Sequence, residues 1–145
     1  MNTTTRAPQT SQSNPALLHR ALGGGQVIMV LALAIARPSG IMNDAAASAS
    51  PAASALVMAS ALMLASALIV LKPRVPRRRA GMTREAFWGD ANVSKPAMLL
   101  WFILEGSAVV AAVAYFLSAS YISAALALIA IVAFWMNGPA RFENE

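Results

Sequence analysis

The sequence predicts an all-α membrane domain: a four-helix transmembrane bundle with both termini on the cytoplasmic side. Three observations carry that expectation. Of the 145 residues, 58% are hydrophobic and only 12% charged, about half of the roughly 25% that a soluble domain carries. Mean hydropathy is +0.60, and alanine fills 32 positions. The apolar residues fall in four runs, while seven of the eleven basic residues fall in one segment between two of them, Lys72 to Lys95. An ordinary water-soluble domain, a disordered tail and a disulfide scaffold are excluded.

A helix crossing about 30 Å of hydrocarbon needs about 20 mostly apolar residues. Four segments qualify, over about 17–36, 51–71, 96–117 and 119–136, the last being the shortest. Gly138-Pro139 stop the fourth, because proline cannot continue a helix and glycine readily terminates one. Residues 1–15 are Thr, Ser, Gln, Asn and Pro-rich and cannot offset their ordering entropy, so a disordered arm is expected there. Residues 37–50 read as a flexible connection, 72–95 as a basic loop, and 138–145 as a short tail. Only Ser118 to Tyr121 separate the last two spans, which predicts a tight antiparallel hairpin.

Orientation follows from charge. Lys72, Arg74, Arg77, Arg78, Arg79, Arg84 and Lys95 outnumber Glu85 and Asp90 in the basic loop. Positive residues cross a membrane reluctantly, which keeps this loop and both termini in the cytoplasm. The first run has a second reading. Arg6, His19 and Arg20 followed by an apolar stretch ending Ala34-Ile35-Ala36 have the form of a cleaved signal peptide. Arg37-Pro38 directly after that site is a poor context for cleavage, so retention is expected.

Several chemistries lack their residues. Cysteine is absent and histidine occurs once, at His19. No thiolate site, zinc or haem ligand set, or Ser-His-Asp array is available, and no cofactor or enzymatic activity is expected. The net charge of +5 is concentrated in one loop between apolar runs, which argues for topology rather than nucleic-acid binding. Gly23-Gly24-Gly25 lacks the Gly-Lys-Ser/Thr of a phosphate loop and reads as a place of close helix contact.

The second run repeats Ser-Ala-Leu every six residues, at Ser54, Ser60 and Ser66. Six residues turn a helix by about 600°, so these serines spiral around it instead of lining one face. The small pairs Ala55/Ala59 and Ala61/Ala65 predict close packing within the bundle, or a homo-oligomer or larger membrane complex. Trp88, Trp101, Tyr115, Tyr121 and Trp135 fall near the span ends and suit an interfacial belt.

Glu105 is the one acid inside a span. It lies ten residues past Lys95, roughly 15 Å along a helix and near the bilayer centre. An ionised carboxylate there costs at least a few kcal/mol, so it is expected to face the bundle interior. Its stripe holds Ala108, Ala112 and Tyr115, which leave room for a neighbour. Candidate partners are Gln26, counted as shallower, Ser60, Ser66 and Ser107. One reading is a carboxyl hydrogen-bonded to a neighbouring helix and fixing register. The other is a proton or cation site built on Glu105, Gln26 and Ser107.

The run Leu104-Glu105-Gly106-Ser107-Ala108, followed by Val113-Ala114-Tyr115-Phe116-Leu117, resembles the third helix of small, uncharacterised four-helix bacterial membrane proteins. The short ending with Pro139 and Arg141 is also similar. The resemblance covers about residues 97–141 and implies a bacterial inner-membrane location without a known activity. A weaker similarity is to the proteolipid subunits of rotary ATPases, which carry a glutamate in an Ala/Gly-rich helix. Here the acid stands on the third helix instead of the last.

The basic loop is expected at the membrane surface. Arg74, Arg77, Arg78, Arg79 and Arg84 are candidate contacts for anionic lipid headgroups, worth about 1 kcal/mol per charge there, with Phe87 and Trp88 dipping into the interface. The sequence therefore predicts a multi-pass membrane protein, structural or accessory in role. Proton or cation handling at Glu105 is the alternative, and lipid-surface binding a third class.

Overall fold

The computed structural model describes residues 14–36 and 51–143. The disordered arm expected over 1–15, except for Asn14 and Pro15, and the connection expected over 37–50 lie outside the described residues. Helix α1 spans Pro15–Ala36. It starts where Asn14 Oδ1 accepts from the Ala16 and Leu17 N–H groups at 3.1 and 3.4 Å, with proline at the first helical position, where its missing N–H costs nothing. Helix α2, Pro51–Ser66, runs on through a π-helical turn, Ala67–Leu71, and a 3₁₀ turn, Lys72–Arg74. The Ser66 hydroxyl donates back to the carbonyls of Leu62 and Met63 at that transition. Such back-bonding competes with the regular ladder and loosens it.

The segment expected as a loop is itself folded. Thr83 accepts from Ala86 N and caps α3, Arg84–Gly89. Asp90 then accepts from Asn92 N and caps α4, Ala91–Ser118. The third long helix therefore begins at Ala91 rather than Pro96. Asp90 is the stronger start signal, and Pro96 sits inside the helix. Ala119, in the left-handed region with φ 54°, and Ser120 turn the chain into α5, Tyr121–Met136. Pro139 opens a last short helix, α6, Pro139–Glu143, within the expected tail.

Among the described residues the structure is all-helical, and three helices are long and apolar enough to cross a membrane: Pro15–Leu33, Pro51–Arg74 and Ala91–Ser118. The fourth, α5, is apolar and shorter. Half of the α4 apolar window is buried, against 17% for each of the first two, because α4 is the central helix on which α1, α2 and α5 all pack. Its buried residues are mostly small (Ala97, Ser107, Ala108, Ala111, Ala112, Ala114), as are those of α5, which packs on it (Ser123, Ala127, Ala130, Ala133). Small side chains allow backbones to approach closely and gain dispersion where burial against lipid supplies no drive. The outward faces carry Ile28, Leu31 and Ile35 on α1, Met58, Leu62 and Ile69 on α2, and Ile122, Leu128 and Ile129 on α5.

The serine spiral holds: Ser60 is buried while Ser54 and Ser66 are exposed. Close packing of the alanine pairs within the bundle is not found. Ala55, Ala59 and Ala65 face outward, and α2 buries Ala53, Ser60, Leu64 and Ala67 instead. The inward face of α2 follows Ser60, whose hydroxyl finds a partner there.

Candidate functional site

Three polar features interrupt the apolar bundle. The deepest is the pair Ser60 and Ser107. The Ser60 hydroxyl donates to the Ser107 carbonyl at 3.0 Å, the Ser107 hydroxyl donates to the Ser60 carbonyl at 3.0 Å, and the two oxygens lie 3.2 Å apart. Both serines are fully buried. This reciprocal clasp fixes the register of α2 on α4, the role one reading gave to Glu105. A double-mutant cycle of Ser60→Ala and Ser107→Ala is expected to give a coupling energy of about 0.5–1.5 kcal/mol, the range of interhelical hydrogen bonds in membranes. Additive losses in an unfolding titration would show that the clasp contributes nothing.

Glu105 stands elsewhere. It is half-buried, and its carboxyl has no hydrogen-bond or ion-pair partner among the described residues. Ser107 is turned toward α2, since residues two apart on a helix point about 200° apart. Ser66 is exposed and bonded to its own helix. Gln26 is fully buried, with neither amide atom partnered. The residues proposed as one site, Glu105, Gln26 and Ser107, thus form no hydrogen-bonded group. The depth count also changes. His19 packs against Trp101, so by helical rise Gln26 lies ~10 Å and Glu105 ~6 Å beyond that contact. Gln26 is the deeper of the two, because Arg20 is level with the region after Trp101 and not with Lys95.

The second feature was not foreseen: a knot around His19. Its ring stacks on Phe134 with centroids 4.2 Å apart and meets Trp101 and Trp135 edge-on at 5.1 and 5.6 Å. Nε2 lies 3.2 Å from the Phe134 carbonyl. A carbonyl only accepts, so this contact places a proton on Nε2. Trp101, expected in an interfacial belt, is fully buried, and its indole N–H donates to the Asn137 carbonyl at 2.7 Å. Asn137 in turn donates from its amide to the Ala133 carbonyl at 2.7 Å. The knot joins α1, α4 and the end of α5. A signal for it stood in the sequence: His19, Gly23 and Gln26 fall at i, i+4 and i+7, a polar and small stripe on an otherwise apolar helix, and all three are buried. In lipid such residues turn inward.

The third feature is a cap in which α6 folds back on the basic segment. Arg78 N donates to the Phe142 carbonyl at 2.9 Å, and Arg78 Nε to the Glu143 carbonyl at 3.0 Å. The Glu143 carboxylate accepts from Arg84 Nε at 2.8 Å and from Trp88 Nε1 at 2.7 Å. Phe87, expected in the lipid interface, is buried, and Trp88 packs on both Phe87 and Trp101. The five arginines therefore divide. Arg78 and Arg84 hold the cap together, while Arg74, Arg77 and Arg79 remain exposed.

Among the described residues no group of three His, Cys, Asp or Glu side chains could hold a metal ion. No protein-family model, curated protein or solved structure matches the chain.

Proposed function

We propose that this chain is a multi-pass integral membrane protein with a structural or accessory, non-enzymatic role, inserted as a four-helix bundle with both termini and the basic cap in the cytoplasm. The observation that carries the reading is the division of surface. Ile28, Leu31, Ile35, Met58, Leu62, Ile69, Leu128 and Ile129 are exposed on the long helices, whereas Arg74, Arg77, Arg79 and Arg84 are grouped in the segment after α2. Apolar surface of that extent on α1, α2 and α5 is costly in water and matches hydrocarbon. Burial of His19, Gly23 and Gln26 supports retention of α1 in the bundle. The resemblance to small bacterial four-helix proteins supports an inner-membrane location. Two internal clasps and a folded cap are what a scaffold requires. The expected result is that the chain stays in the membrane fraction after alkaline carbonate washing. Reporters fused after Arg79 and at either terminus should read cytoplasmic; release by carbonate, or a periplasmic loop, would refute the assignment.

A second reading, proton or cation handling at Glu105, is favoured by one observation. Glu105 and Gln26 lie at similar depth and each lacks a hydrogen-bond partner among the described residues. Vesicles reconstituted with the wild-type chain or with Glu105→Gln separate the two. The structural role predicts equal proton and sodium leakage, whereas a Glu105-dependent flux would replace it with the second reading. Since the carboxyl makes no bond to another helix among the described residues, Glu105→Gln is expected to leave the unfolding midpoint unchanged.

A further inference from the structure

The basic segment and α6 enclose an open groove of about 480 Å³. Its floor is apolar, from Leu68, Val75 and Phe142, and its rim carries Lys72, Arg77 and Arg141. Each rim cation lacks a carboxylate partner among the described residues. Glu143, the acid of α6 among the described residues, is already taken by Arg84 and Trp88. Arg141 makes only a long 3.5 Å contact to the Met136 carbonyl. The groove lies where α2 leaves its apolar stretch, and the π-helical turn Ala67–Leu71 leads directly into it. A π turn takes one extra residue and shifts the face that follows; such turns recur at functional sites. Ile69, 73% exposed and next to Leu68, falls at helical spacing with the exposed Leu62 and Met58, an apolar stripe along α2.

We propose that this groove binds one anionic phospholipid, with the headgroup phosphate among Lys72, Arg77 and Arg141 and an acyl chain running from Leu68 along α2. Three unit charges outweigh the half negative charge that the C-terminal end of a helix presents. The apolar floor and its continuation up α2 favour a lipid over a free anion, which would use the cations alone. A groove lined by three cations also differs from a diffuse basic surface, because Arg78 and Arg84 are spent on the cap.

The test uses the full chain in detergent, titrated with short-chain phosphatidylglycerol or phosphatidylcholine and read by native mass spectrometry. Phosphatidylglycerol should bind and phosphatidylcholine should not. At ~5-fold per cation, the triple change Lys72→Gln, Arg77→Gln, Arg141→Gln should weaken phosphatidylglycerol on the order of 100-fold. A matched triple outside the groove, Arg20→Gln, Arg74→Gln, Arg79→Gln, should change it less than about threefold. The charge-preserving set Lys72→Arg, Arg77→Lys, Arg141→Lys should retain binding and guards against a folding defect. Equal losses in the two neutralised triples, or a loss in the charge-preserving set, would overturn the site. Inorganic phosphate competing as well as the lipid would overturn the lipid assignment. The inference rests on the membrane reading, which carbonate extraction tests separately: a chain that stays in the membrane but fails the titration overturns the groove alone.

Discussion

Replacing Trp101 with alanine is expected to lower the unfolding free energy by about 3–5 kcal/mol, the usual cost of emptying a large aromatic site. Three contributions vanish together. The indole is fully buried, it lies against His19 and Trp88, and its N–H donates to the Asn137 carbonyl at 2.7 Å. That carbonyl sits at the end of α5, so its loss also frees the turn that leads into α6. Trp101→Phe keeps one six-membered ring but removes the donor and the rest of the indole, so it should cost less, about 1–3 kcal/mol. Reversible unfolding in mixed micelles measures both. A cost under ~1 kcal/mol for the alanine variant would show that the His19 knot does not hold the bundle.

The second large effect concerns three adjacent glycines that occupy different faces of α1. A Cβ at Gly23 would lie 2.8 Å from Trp135 Cζ2 and 2.9 Å from Phe134 Cε1. Those are ring atoms in the knot and cannot give way as a flexible chain end can. Gly23→Ala is therefore expected to destabilise by about 1–3 kcal/mol through overpacking. Gly24 and Gly25 face outward with nothing within 4 Å of an added Cβ, so alanine there should stabilise by about 0.5–1 kcal/mol through helix propensity. Gly106 marks the intermediate case. Its Cβ would meet Met63 Cε at 2.8 Å, and a methionine tip can move. Destabilisation by Gly24→Ala equal to that by Gly23→Ala would refute the packing assigned to α1.

How much of the site was legible varies with the range of the interaction that decides it. The apolar runs, the terminating Gly138-Pro139 and the rotating serines of α2 are local properties, and helical geometry turns them into structure directly. Asp90 as a helix cap is equally local, but Pro96 offered a rival start and masked it. Glu105 drew attention because a charge in a span is rare, yet it ends without a hydrogen-bond partner among the described residues. Among the groups that join helices are Ser60 with Ser107, His19 with Phe134, and Glu143 with Arg84 and Trp88. Their separations in sequence are 47, 115, 59 and 55 residues, beyond anything periodicity can report.

By itself, the sequence determined the helical class, the length of each apolar segment and the concentration of charge after α2. These depend on hydrophobicity and backbone geometry summed over neighbouring residues. Only the tertiary structure decided that α4 is central, that His19 and Trp101 are core residues, and that the basic segment is a cap with two of its arginines neutralised or bonded. Those outcomes depend on which buried polar group finds a partner on another helix. That choice is a property of the packed bundle, since a single hydrogen bond in a low-dielectric interior outweighs the weak preferences any one helix has about which face to hide.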